Sequence, residues 1–163
     1  MDGRNNDEEI RKVADLINGN RIGMLTTIAP DGTLMSRPMA LQDVEFDADL
    51  WLYAERNSRK VNHIGLNPQV NVTVGSGSDW VSLSGTMAVV DDPGKKKDLW
   101  NAGVAAWFPD GPDSDDLVLL RIASESAEYW DTPGGRVASI VSFAKARVTG
   151  QRYSGGENET VDL

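Results

Sequence analysis

The segment Asn57-Ser58-Arg59-Lys60 sets two cations in the first turn of a helix that the pattern predicts from Asn57 to Leu66. Backbone N–H groups already give that end of a helix a positive potential. Exposed cations there are each unfavourable by about 0.3–1 kcal/mol. A bound phosphate reverses the sign, because free N–H groups, the Ser58 hydroxyl and both cations would then converge on one dianion. The competing reading is that Arg59 and Lys60 simply point into solvent. Arg37 is a second candidate, since phosphate clamps gather cations from more than one element; beside Pro38 on a predicted strand it also reads as an ordinary surface arginine. His63, three residues beyond Lys60, reads as a solvent-facing or capping imidazole, with proton-shuttle duty as the alternative.

The elements that must position these residues follow from periodicity and turn chemistry. Residues 7–18 carry Ile10, Val13, Ala14 and Ile17 at helical spacing, with Asp7 as cap and Gly19 as stop. Ile22 to Ile28 and Thr33 to Leu41 flank the turn Ala29-Pro30-Asp31-Gly32 and read as a hairpin. Pro38 donates no ladder hydrogen bond, so its strand is an edge or carries a bulge. A third strand lies at 50–53. Val70, Val72 and Val74 mark a half-buried strand, and Trp80 to Val90 a longer one in which Gly85 predicts a bend or a close backbone approach. A helix is predicted over 91–106, a loop over 108–116, a central strand from Leu117 to Ile122 extended through Ala127–Trp130, and a helix over 135–148. The stretch 154–163 reads as a polar, loosely ordered tail to a single domain over 1–153. Strands succeed one another through hairpins rather than crossover helices, so the expected fold is α+β and mainly β: a six- or seven-stranded antiparallel barrel with peripheral helices.

Composition narrows the chemistry. The 163 residues hold 16 Lys and Arg against 25 Asp and Glu, a net charge of −9, which argues against nucleic acid or an anionic membrane as partner. No Cys is present, excluding a disulfide framework, thiol catalysis and iron–sulfur chemistry, and one His leaves no basis for a multi-histidine metal site. Asp110, Asp113, Asp115 and Asp116 lack the ligand spacing of a calcium loop. Lys95-Lys96-Lys97 reads as a solvated helix face. Neither a signal segment nor a spanning helix is visible, so a cytoplasmic location is expected. Five Trp against three Tyr and three Phe is an unusual skew.

Several short motifs, in order, resemble the pyridoxamine 5′-phosphate oxidase-like FMN-binding split barrels. They are Ser36-Arg37-Pro38-Met39, Leu50-Trp51-Leu52-Tyr53-Ala54, Ser58-Arg59-Lys60-Val61, Asn67-Pro68-Gln69-Val70 and Trp80-Val81-Ser82-Leu83-Ser84-Gly85. More narrowly, Ala106-Trp107-Phe108-Pro109-Asp110-Gly111-Pro112, Leu117 to Ile122, Glu128-Tyr129-Trp130-Asp131 and the glycine-rich C-terminal segment resemble the general stress protein 26-like branch. The resemblance implies a homodimer with FMN in clefts between the subunits. It implies that Arg37, Ser58, Arg59 and Lys60 bind the ribityl phosphate and that Pro38, Met39, Ala40 and Leu41 lie along the isoalloxazine ring, offering backbone hydrogen bonds. Tyr53 and Ala54 would stand near the phosphate and ribityl chain, Trp80 at a flavin-contact position, and Trp107 would reach the flavin from the partner subunit. FAD and deazaflavin F420 are alternative ligands in the same fold. The vitamin B6 oxidases carry a cofactor- and substrate-binding C-terminal barrel strand where this sequence predicts a helix and a tail, and a cation near the flavin where it has Gln42. Pyridoxine phosphate oxidation is therefore not expected. The activity implied is a low-specificity flavin oxidoreductase, with a non-catalytic flavin carrier or sensor as the alternative.

Overall fold

The computed structural model describes residues 2–42, 48–131, 138–139 and 158–162. Its sheet grows from the β1–β2 hairpin, Ile22–Ile28 with Leu34–Ala40. On the other side of β1 lies β4 (Gln69–Ser76), then β5 (Asp79–Val90), β6 (Leu117–Asp131) and β3 (Asp49–Glu55), so that the order is β2-β1-β4-β5-β6-β3. Every pairing is antiparallel. The sheet curls into a half-barrel whose interior buries Leu25, Val72, Leu83, Leu52 and Leu120. Full burial of each such side chain contributes about 1.5–3 kcal/mol.

Helix α1 (Asp2–Asn18) sets Val13 and Ile17 into this core. It begins five residues before the predicted start, because the leading polar residues extend the backbone helix without extending the apolar stripe that periodicity detects. Helix α2 (Arg59–Leu66) is the predicted helix, with Ser58 at its N-cap. The single helix predicted over 91–106 is instead two, α3 (Pro93–Asp98) and α4 (Ala102–Trp107). Asp92 accepts from Lys95 N–H at 2.9 Å, and Asn101 accepts from Val104 N–H at 3.1 Å, starting a second helix where the first has ended.

The lysine run is not a plain solvated face. Lys95 Nζ lies 4.6 Å from the centre of the Trp51 ring, Lys96 Nζ donates to the Ser114 and Leu117 carbonyls at 3.1 and 2.9 Å, and Lys97 pairs with Asp113 at 2.9 Å. Together they fasten α3 to β3 and to the loop before β6.

Two glycines answer to close approaches. Between Ser84 and Gly85 the β5–β6 register shifts, and a Cβ at Gly85 would overlap the Ala123 carbonyl oxygen. Gly75 lies beneath the ring of its cross-strand partner Trp80.

At the C-terminal end the polar tail supplies a strand, β8 (Asn158–Asp162), paired with β6 from Ser126 to Trp130 along the edge that β3 leaves free. A helix over 135–148 does not hold at Ala138–Ser139, which form the short strand β7 against Trp130 and Asp131; the rest of that prediction lies outside the described residues. Polar alternation in so short a strand gives no apolar signal, since β6 supplies its template. Among the described residues no helix is long and apolar enough to cross a membrane.

Candidate functional site

The two edge strands of the half-barrel, β2 and β3, meet at one end and part at the other. Leu41 N–H donates to Arg21 O and Ala29 N–H to Thr33 O, both at 2.8 Å. The hydrogen-bonded pairs of the β1–β2 ladder therefore fall on odd-numbered residues, and Ser36, Pro38 and Ala40 turn their backbone groups to the open edge. Pro38 thus sits where the ladder requires no N–H, on an edge strand, the first of the two placements expected for it. Gln42 N–H, next in the same outward series, donates to Trp51 O of β3 at 3.2 Å. Beyond that stitch the strands separate.

A cleft of about 410 Å³ opens between them. Pro38, Met39 and Ala40 line it from β2, Tyr53, Ala54 and Glu55 from β3, Lys60 from α2, and Val104, Trp107 and Phe108 from α4 and its end. Seven of the twelve residues singled out in the sequence are thus brought to one wall-to-wall space: Pro38, Met39, Ala40, Tyr53, Ala54, Lys60 and Trp107. Trp107, 78% exposed, borders the cleft of its own chain. Tyr53 donates its hydroxyl to Lys96 O and meets Trp100 edge-on at 5.8 Å. Burial pushes its pKa up to about 12, so the phenol remains a protonated donor at neutral pH.

Leu41 departs from the expected arrangement. Its side chain lies in the core and its N–H is held by Arg21, so the outward backbone donor at this edge is Ala40. Trp80 is not among the cleft residues; its ring lies over Gly75.

Arg37, Ser58 and Arg59 are not among the residues that line the cleft, but Arg37 lies within electrostatic reach of both Lys60 and Arg59. Burial first, then Arg59, lowers the pKa of Arg37; burial first, then Arg37, lowers that of Lys60, with Glu55 opposing. Both directions report like charges held together in a partly dry place. Among the described residues, no carboxylate forms a salt bridge with Arg37, Arg59 or Lys60 within 4.0 Å. The Ser58 hydroxyl is buried at the N-cap, has no hydrogen-bond partner among the described residues, and makes no capping bond. The first helical hydrogen bonds run from Val61 and Asn62 to Ser58 O, which leaves the N–H groups of Arg59 and Lys60 outside the ladder. An orphaned hydroxyl, two N–H groups outside the helical ladder and three cations that form no salt bridge among the described residues, with Glu55 acting on Lys60 from a distance, make a set of donors suited to an anion.

His63 is placed differently from its expectation. It is buried, and its Nδ1 lies 2.9 Å from Thr27 Oγ1, which in turn accepts from Arg37 Nη1 at 2.7 Å. Thr27 carried no signal in the sequence, where a threonine in a strand needs no explanation. Gln42 lines the cleft and its Oε1 accepts from Asn101 Nδ2 at 2.9 Å.

An antiparallel half-barrel with its two edge strands parted over a cleft defines a split barrel. The chain belongs to the family described as pyridoxamine 5′-phosphate oxidase like, whose sequence model matches residues 8–154, within the branch of general stress protein 26. The structure of general stress protein 26 from Bacillus anthracis is similar at 27% identity and a TM-score of 0.67, covering 74% of this chain and 92% of that one. The general stress FMN/FAD binding protein from Xanthomonas citri is similar at 25% identity and a TM-score of 0.69, covering 83% and 96%. Protein bli-3 of Neurospora crassa is 26% identical over 157 residues, which cover 89% of this chain and 75% of the relative. The family is one of flavin-binding folds.

Proposed function

We propose that the protein binds FMN in the cleft between β2 and β3 and works as a low-specificity flavin oxidoreductase of the general stress type. The observation that carries this reading is the unpartnered Ser58 hydroxyl beside Arg37, Arg59 and Lys60, at the mouth of a helix that contributes Lys60 to the cleft. These groups would hold the ribityl phosphate. Pro38, Met39 and Ala40 would flank the isoalloxazine ring, with Ala40 N–H as a backbone donor, and Tyr53, Ala54 and Trp107 would close the other wall. The Xanthomonas citri relative is described as an FMN/FAD binding protein, which supports a flavin as the ligand. A bound flavin supplies hydride or electron transfer; the chain supplies binding, orientation and electrostatics. A second copy of the chain would cover the exposed Ile22, Met24 and Trp80, forming a homodimer.

Anaerobic addition of NADH or NADPH to the flavin-loaded protein tests the redox part. Bleaching of the oxidised flavin band is expected, with recovery on admitting air. An oxidised spectrum that persists with every reductant tried would leave a flavin carrier or sensor as the function. The mass of the flavin released by denaturation separates FMN from FAD and F420.

A further inference from the structure

The two halves of the cationic site come from elements far apart in sequence, Arg37 from the edge strand β2 and Ser58, Arg59 and Lys60 from the start of α2. A buried polar chain joins them. Arg37 Nη1 donates to Thr27 Oγ1 at 2.7 Å and to Leu25 O at 3.3 Å, and Thr27 Oγ1 lies 2.9 Å from His63 Nδ1. Thr27 is 0% exposed and His63 6%, so neither has water as a ready substitute partner. His63 follows Lys60 by three residues on α2, which places the two on adjacent turns of one helical face.

The direction of the chain follows from counting protons. A guanidinium has only donors, so Thr27 Oγ1 must accept from Arg37. Its single hydroxyl proton is then free for His63, provided that Nδ1 carries a lone pair and the imidazole proton resides on Nε2. In the other tautomer, Arg37 and His63 would both donate to the same oxygen, stranding the hydroxyl proton in a site closed to water. A core needs no such group: a valine at 27 and an apolar residue at 63 would fill the same space at lower desolvation cost. The polar pair instead constrains where an arginine on an edge strand can point.

Resting on the phosphate-site reading above, we propose that Thr27 and His63 are positioning residues for that site. They hold the Arg37 guanidinium in register with the first turn of α2, through the Nε2-protonated tautomer of His63. Neither residue touches the ligand; both act through Arg37.

The chain has one histidine, so the imidazole signals of a ¹⁵N-labelled sample need no assignment. In the wild-type apoprotein, the spectrum is expected to show protonated Nε2 and unprotonated Nδ1; a proton on Nδ1 would overturn the proposal without recourse to any variant. In parallel, FMN and riboflavin affinities are measured for the wild type, T27V and T27S. T27V conserves volume and should weaken FMN by about tenfold, the scale of one hydrogen bond to a charged group, with riboflavin unchanged. T27S, which restores the hydroxyl, should recover most of the loss. A T27V protein that keeps the full wild-type preference for FMN, or loses both ligands in equal proportion, would overturn the positioning role. A wild type that shows no preference for FMN would instead overturn the phosphate-site reading itself, so the two failures are distinct.

Discussion

Replacing Arg59 and Lys60 together with alanine is expected to weaken FMN binding by about 100-fold or more, since each charge-assisted hydrogen bond removed is worth ~1.5–3 kcal/mol. The apoprotein should meanwhile unfold at the same temperature or a higher one. Burial first, and then Arg37, lowers the pKa of Lys60, with Glu55 opposing; burial first, and then Arg59, lowers that of Arg37, so without an anion these charges are partly desolvated and repel one another. Both substituted residues also stand in the first turn of α2, where the helix dipole disfavours them. Were these charges to serve a ligand, strain in the apo state would be the usual trade of stability against function. Thermal melts of the apo variant and fluorescence titration with FMN separate the cases: a large fall in melting temperature would make the two residues structural, and an unchanged affinity would remove them from the site.

The second large effect concerns the fold that holds the cleft open. Gly85→Val should destabilise the protein by about 3 kcal/mol or more, above the usual cost of an overpacked core. The added Cβ would overlap the Ala123 carbonyl oxygen, which is backbone and cannot rotate aside. The register shift at Ser84/Gly85 is where β5 bends across β6, and β6 carries β3, one lip of the cleft. Denaturant unfolding checks the value; a midpoint like that of the wild type would mean that β6 yields at this point.

Where residue type dictated geometry, the sequence was sufficient. Pro38 called for an edge strand or a bulge and Gly85 for a bend or a close approach; β2 is an edge strand, and Gly85 stands at a close approach beside a register shift. The cations at the start of α2 broke a local electrostatic rule, and the structure leaves them without a carboxylate partner within salt-bridge distance among the described residues. What stayed illegible was set by tertiary context. Burial of His63 depends on β1 passing beneath α2 with Thr27 turned inward, a matter of register between segments 36 residues apart. The break between α3 and α4 turns on the Asn101 cap, since its asparagine would also pass as a mid-helix surface residue. Strand β8 depends on the free edge of β6 rather than on any apolar pattern of its own. The lysine run looked solvated because its partners, the Trp51 ring, two carbonyls and Asp113, all come from other elements.

If the site holds a flavin through its phosphate, the ligand that lacks the phosphate must bind far more weakly. Titrating one apoprotein preparation with FMN and with riboflavin, in the same buffer at the same ionic strength, tests it most directly. FMN is expected to bind about 100-fold tighter or more, the contribution of at least two charged contacts that riboflavin cannot make. Equal affinity for the two ligands would contradict it.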